Sequence, residues 1–195
     1  MSNARAIETA EKFNRFAESM GMPARCDASL GFNTPQLAEA VAIWREKAGE
    51  SGLPPRTQFT ARTLRAFLPH VSTVDLVETD SSRRFRFRLM GTAVSQLLGD
   101  HTGKFVDEAV VSPFRERWLA VMEAAIKAGA PLRIFGRLEY RQQDFIAMDM
   151  MIAPLGSVSG QAEGVLTFMY PSYSASHVFH PLVKNKLTAA DALAS

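Results

Sequence analysis

The six residues Arg84-Phe85-Arg86-Phe87-Arg88-Leu89 constrain this chain more than any other segment. Large apolar and cationic side chains alternate strictly, and a strand sorts them because its side chains point to opposite faces at period two. A helix would mix phenylalanine with arginine on every side. The pattern therefore predicts a strand with Phe85, Phe87 and Leu89 on a covered face and Arg84, Arg86 and Arg88 in water. Such a strand needs a sheet, and the sheet needs something to cover it.

The flanking residues supply both. Residues 71–77 are rich in β-branched side chains and read as a strand joined to 84–89 through the turn at 79–82. Residues 132–140, 145–152 and 164–170 read as three more strands, separated by polar or Gly/Ser-rich turns. Between the two groups lie a short helix at 93–98 stopped by Gly99, irregular helical pieces at 105–111, and a longer helix after Ser112-Pro113. Phe114, Trp118, Val121, Met122 and Ala125 line that helix, which ends at Gly129. The order β-β-α-α-α-β-β-β predicts an antiparallel α+β sheet of five strands with helices on one face. If Ile146, Met148, Met150 and Ile152 face inward, Asp149 faces outward and avoids the cost of a buried, unpaired carboxylate.

Two helices precede this core. Ile7, Ala10, Phe13, Phe16, Ala17 and Met20 fall at helical spacing over residues 4–20, and a polar connection follows. Thr34-Pro35 opens a second helix, with proline where its missing N–H costs nothing. Leu37, Ala40, Val41 and Trp44 form its apolar face. Leu53-Pro54-Pro55-Arg56 and residues 59–67 read as an extended segment with one helical turn, closed by Leu68-Pro69-His70.

Composition narrows the class. A chain of 195 residues that is 47% hydrophobic and 22% charged suits one globular core and excludes disordered and fibrous chains. A net charge of +2 is too mild to imply nucleic acid. The first residues include glutamates and no apolar run, so no signal or transit peptide is read there, and no stretch is apolar enough to span a membrane. A cytoplasmic protein is expected. Cys26 is the single cysteine, which excludes an internal disulfide framework and a cysteine zinc finger and reads as an incidental loop thiol.

With this element order the chain resembles the PAS family over about residues 68–171. A narrower resemblance, to a bacterial group of small stand-alone PAS proteins, rests on Trp44-Arg45, Leu53-Pro54-Pro55-Arg56, Phe67-Leu68-Pro69-His70, and the run from Arg84 through Met90-Gly91-Thr92. Leu97-Leu98-Gly99, Thr102-Gly103-Lys104 and Arg117-Trp118 fit the same group, and the match reaches back to about residue 35. The organisation implied is an N-terminal helix and connection (1–33), a second flanking helix and extended segment (34–67), the PAS core (68–171) and a partly helical tail (172–195). The family implies a cupped sheet enclosing a cavity beneath the helix at 113–128, and a sensory or regulatory role carried by ligand or protein binding. Inward positions make Phe87, Leu89, Leu97, Leu98, Phe105, Trp118, Val121, Met122, Phe135, Met148, Met150 and Phe168 the candidate cavity walls. Each also reads as ordinary core. The several methionines suit an adaptable apolar pocket.

The cofactor is left open. Haem-binding relatives use a histidine on the long helix, and residues 114–127 contain none. Covalent-flavin and thioester-chromophore sensors need a core cysteine, and Cys26 precedes the core. His70, His101, His177 and His180 lie in connections or near the C-terminus without the spacing of a metal site. Arg84, Arg86, Arg88 and Lys104 read as a solvated face, because nucleic-acid binding needs exposed aromatics between the cations and the alternation turns Phe85 and Phe87 away. No G-x-S-x-G, P-loop, G-x-G-x-x-G, H-E-x-x-H or C-x-x-C motif is present, so no catalysis is expected. The expected partners are a signalling protein such as a histidine kinase, a second copy of the chain through its N-terminal helices, and a small apolar or amphipathic ligand. A ligand-free adaptor has the same pattern.

Overall fold

The computed structural model describes residues 3–49, 52–79, 82–138, 146–157 and 159–172. Its elements are α1 (Asn3–Ser19), β1 (Ala24–Asp27), α2 (Pro35–Ala48), single 3-10 turns at Arg56–Gln58 and Leu68–His70, β2 (Val71–Glu78) and β3 (Arg83–Met90). These are followed by α3 (Thr92–Leu98), α4 (Val106–Ala109), α5 (Phe114–Ala128), β4 (Leu132–Leu138), β5 (Ile146–Gly156) and β6 (Ala162–Ser172). The strands form one antiparallel sheet in the order β1-β4-β5-β6-β2-β3. Tyr140, Phe145, His177, His180 and the expected C-terminal helix lie outside the described residues.

The α+β sheet is as expected, with one strand more than the five predicted. β1 is the addition, and its four residues, Ala24-Arg25-Cys26-Asp27, carry no alternation that would announce it. It pairs with β4 at the sheet edge, and Asn14 of α1 holds its other side. The Asn14 Nδ2 donates to the Cys26 carbonyl at 2.9 Å while its Oδ1 accepts from the Cys26 N–H at 2.7 Å. Cys26 is thus a buried strand residue and not a loop thiol. Loss of hydration pushes its thiol up to about 12, with the neighbouring Asp27 charge adding to the effect.

The sheet is covered on both faces. On the inner face, α3, α4 and α5 pack over Phe85 and Phe87 of β3, Val74 of β2, and Met148, Met150 and Ile152 of β5. α1 lies against α5 and β1. The α1 side chains that reach this core are Ala6, Ala10, Phe13 and Ala17, whereas Ile7, Phe16 and Met20 of the expected stripe are exposed. Alanines at three of the four buried positions let the two helices approach closely, and that approach selects the face.

The outer face carries its own core. α2 begins after Thr34, with Pro35 in its first turn, and buries Leu37, Ala40, Val41, Trp44 and Ala48 against Val71, Met151, Ala153, Leu155, Leu166 and Phe168. The Trp44 indole N–H donates to the Pro154 carbonyl at 2.9 Å. Asp149 does face away from α5, as the register predicts, but this face is covered too and Asp149 is 1% exposed. The expectation that it reaches solvent is corrected by its partners. Arg133 Nε donates to Asp149 Oδ1 at 2.7 Å and the Asn33 N–H to Oδ2 at 2.9 Å.

A bulge corrects a second reading. The β2–β3 register shifts between Thr73 and Val74, so that Phe87 opposes Val74 while Leu89 opposes Thr73. The shift flips the phase of the alternation after Phe87. Arg88 and Leu89 consequently both lie on the exposed side, Leu89 with 42% of its surface in solvent, and Met90 takes the inward place. No helix among the described residues is long and apolar enough to cross a membrane.

Candidate functional site

The first two turns of α5 set Phe114, Arg117, Trp118 and Val121 three and four residues apart, on the side of the helix that overlies β4 and β5. Beneath them lie Ile134, Met148 and Met150, and the chain entering β1, Met22-Pro23-Ala24, closes the third side. Together with Arg137 these residues enclose a small apolar pocket of about 70 Å³. Gly136 makes that closure possible: a Cβ there would run into the Pro23 carbonyl and the Ala24 backbone. The Arg137 N–H donates to the same Pro23 carbonyl at 2.8 Å. The lining is chiefly aliphatic, aromatic and thioether, with two guanidinium groups as its polar members.

The volume is about a quarter of the smallest drug-sized ligand sites, which run from roughly 300 Å³ upward. In this conformation the pocket accepts a molecule of a few non-hydrogen atoms, and a larger one extends out of its mouth or displaces α5 or the Met22–Ala24 segment. Arg117 and Arg137 suit a polar or anionic end, and Trp118 with the methionines suits an apolar body.

The twelve residues expected to wall a cavity separate into groups. Trp118, Val121, Met148 and Met150 come together at this pocket. Phe87, Leu98 and Met122 are buried in the same core outside it. Leu97 lines a different pocket, beside His70. Phe105 lies at the sheet edge with the Arg84 guanidinium 3.9 Å above its ring. Phe135 is on the outer face under Arg133, 4.4 Å from its ring centre. Phe168 is in the outer core, edge-on to Phe67 at 5.2 Å, and Leu89 is exposed. The last three are corrections: Phe135 and Phe168 have the opposite parity to Ile134 and Met169 on their own strands, and Leu89 follows the bulge. Of the lining residues not anticipated, Phe114 and Ile134 follow the helical and strand periods already seen. Met22, Pro23 and Ala24 had no signal, because nothing in their sequence says that the chain turns back to pair with β4.

The arginine face of β3 is more structured than a wet surface. Arg84 makes a two-pronged contact with Asp107, at 3.0 Å through both Nε and Nη2, and reaches Glu108 at 2.6 Å. These carboxylates raise the Arg84 pKa. Arg56, Arg86 and Arg88 gather around Asp75 at 3.7, 3.7 and 3.4 Å. Among the described residues no group of three histidine, cysteine or acidic side chains is placed to hold a metal ion.

Comparison with known proteins bears on the fold that holds the pocket. No curated protein matches the chain. Among solved structures it is similar to an RNA-binding Light-Oxygen-Voltage receptor, with 16% sequence identity and a TM-score of 0.39 over 63% of this chain and 35% of that one. The chain thus spans about a third of that receptor's length. A PAS domain profile matches residues 32–170, well over half of the chain, taking in α2 to α5 and both faces of the sheet. The chain belongs to the PAS domain family, whose members are sensory or regulatory modules.

Proposed function

We propose that this protein is a non-catalytic PAS sensor that takes a small apolar or amphipathic ligand into the pocket beneath α5 and signals through contact with another protein in the cytoplasm. The observation that carries the reading is the pocket itself, apolar and lined by Trp118, Val121, Met148 and Met150 with Arg117 and Arg137. Its small volume is the basis of the mechanism. A ligand larger than a few atoms that is held within the pocket displaces α5, and α1 is packed on α5 through Phe13 and three alanines. Binding therefore shifts α1 to the extent that the ligand prefers the displaced arrangement. Among the described residues, none of the lining side chains is a nucleophile or a base that works near neutral pH, which supports a binding role over a reaction.

The output surface is the α1–α5 side, where the exposed Phe16 of α1 and Met20 just after it offer apolar contact to a signalling protein or to a second copy of the chain. Light scattering on the intact protein and on a Phe16→Ser, Met20→Ser variant tests the dimer, which predicts a twofold mass that the variant loses. A monomer in both removes it.

A ligand-free adaptor is the second reading, favoured by the dense filling around the pocket, where Met122, Leu132 and Ile152 are wholly buried. Native mass spectrometry with an absorbance spectrum of the purified protein separates the two. A retained small molecule that is lost on Met148→Trp is the expected result. A bare polypeptide mass in both proteins rejects the sensor and leaves the adaptor.

A further inference from the structure

A second pocket, of about 310 Å³, opens between α3 and the end of β6, across the β5–β6 ladder from the first, since Met169 and Pro171 pair with Met150 and Met148. Ala93, Val94 and Leu97 of α3 form one wall and Met169 and Pro171 of β6 the other, with His70 and Gln96 as the polar members. Its volume falls within the range of small-molecule sites. Its lining is again mostly apolar, with few polar groups, as such sites require.

The imidazole of His70 is held on two sides. One ring face is stacked on Tyr170, with centres 4.1 Å apart and planes at 17°. Its Nδ1 is 3.0 Å from the Met169 carbonyl oxygen. A carbonyl oxygen only accepts, so Nδ1 carries the hydrogen, and in the neutral ring Nε2 is then an acceptor. The ring belongs to the single 3-10 turn that leads into β2, and it cannot turn away without losing both the stack and the hydrogen bond. His70 lines the recess together with Gln96, and an acceptor on a ring held in this way suits molecules that combine an apolar body with one N–H or O–H donor.

We propose that the pocket between α3, His70 and the end of β6 is a binding site for a small uncharged molecule of this kind, a phenol or short alcohol in chemical class, with His70 Nε2 accepting its hydrogen bond. The site shares no lining residue with the pocket beneath α5.

Phenol and toluene, matched in shape and differing in the hydroxyl, are the probes, titrated into the isotopically labelled whole protein and followed by nuclear magnetic resonance. The expected result is that phenol shifts the His70 ring nitrogens and the α3 amides, leaves the Trp118 indole N–H unmoved, and binds about fivefold or more tightly than toluene, the effect of one net hydrogen bond. His70→Phe, which retains a ring to stack on Tyr170, should remove the preference for phenol. Ala93→Leu, which fills the recess and leaves His70 in place, should weaken both probes. Equal affinity for phenol and toluene, shifts at Trp118 in place of His70, or no binding up to the solubility of phenol would each overturn the proposal. Shifts at Trp118 alone would leave the reading of the α5 pocket standing, and shifts at His70 alone would leave this one standing.

Discussion

A carboxylate buried under a helix costs several kcal/mol unless a cation and hydrogen bonds meet it, and Asp149 has both. Arg133, 7% exposed, faces it and also reaches the Gly31 carbonyl, while Asn33 supplies an N–H. The pair therefore ties the loop before α2 to the middle of the sheet. Replacing Asp149 by Ala strands the guanidinium and should cost about 3–5 kcal/mol in urea unfolding, whereas the double change Arg133→Met, Asp149→Leu should cost clearly less. Equal losses would mean that the residues matter as bulk and not as a charge pair. Cys26 gives a prediction of the other kind. Its thiol titrates near 12 in the folded chain against 9.0 for an unburied thiol, so the unfolded chain releases this proton first as pH rises. The stabilising contribution is whole below about 9.0 and is lost as pH climbs toward 12. The wild-type protein should lose stability over that window faster than Cys26→Ala does, and parallel curves would contradict the burial of the thiol.

At the scale of elements, the least conspicuous strand has the largest effect on the pocket. β1 is four residues long, has a sheet neighbour on one side only, and is completed by the Asn14 amide of α1. Asn14→Ala removes both hydrogen bonds to Cys26 and should cost about 1–3 kcal/mol, with faster hydrogen exchange at the β1 amides. Unchanged exchange there would show that β4 alone holds the strand. This element also marks where the sequence stops being readable. β3 and β5 and helices α2, α3 and α5 were legible through their apolar periods, β2 through its β-branched residues and β4 and β6 through the turns that bound them, and α2 was anticipated to its first residue by Thr34-Pro35. β1 was not, because a short edge strand needs no alternation when a side chain from another element completes its bonding. Leu89 was misplaced for a related reason: the bulge that turns it outward depends on the partner strand and leaves no mark in the Arg-Phe repeat. The outer core escaped notice because Asp149 reads as a solvent residue until its arginine is brought beside it. Of the candidate walls, the four that meet at the pocket lie on α5 and β5, where the helical and strand periods were read in full.

At the scale of the molecule, one sheet separates two cores with different roles. The outer core, under α2, is tied by Trp44, Phe67 and Phe168 and by the Arg133–Asp149 pair. The inner core contains the pocket, and α1 is stacked on α5 above it. A change of volume in the pocket should be felt by α1 and not by α2, because of these two helices it is α1 that rests on the helix that roofs it. Hydrogen exchange of the α1 and α2 amides in the wild-type protein and in Val121→Phe tests this directly, since the larger ring overfills the pocket at a cost of about 1–3 kcal/mol. Faster exchange confined to α1 and α5, with α2 unchanged, is the predicted result. Unchanged α1, or α1 and α2 loosened by the same factor, would contradict a pocket that communicates through α5.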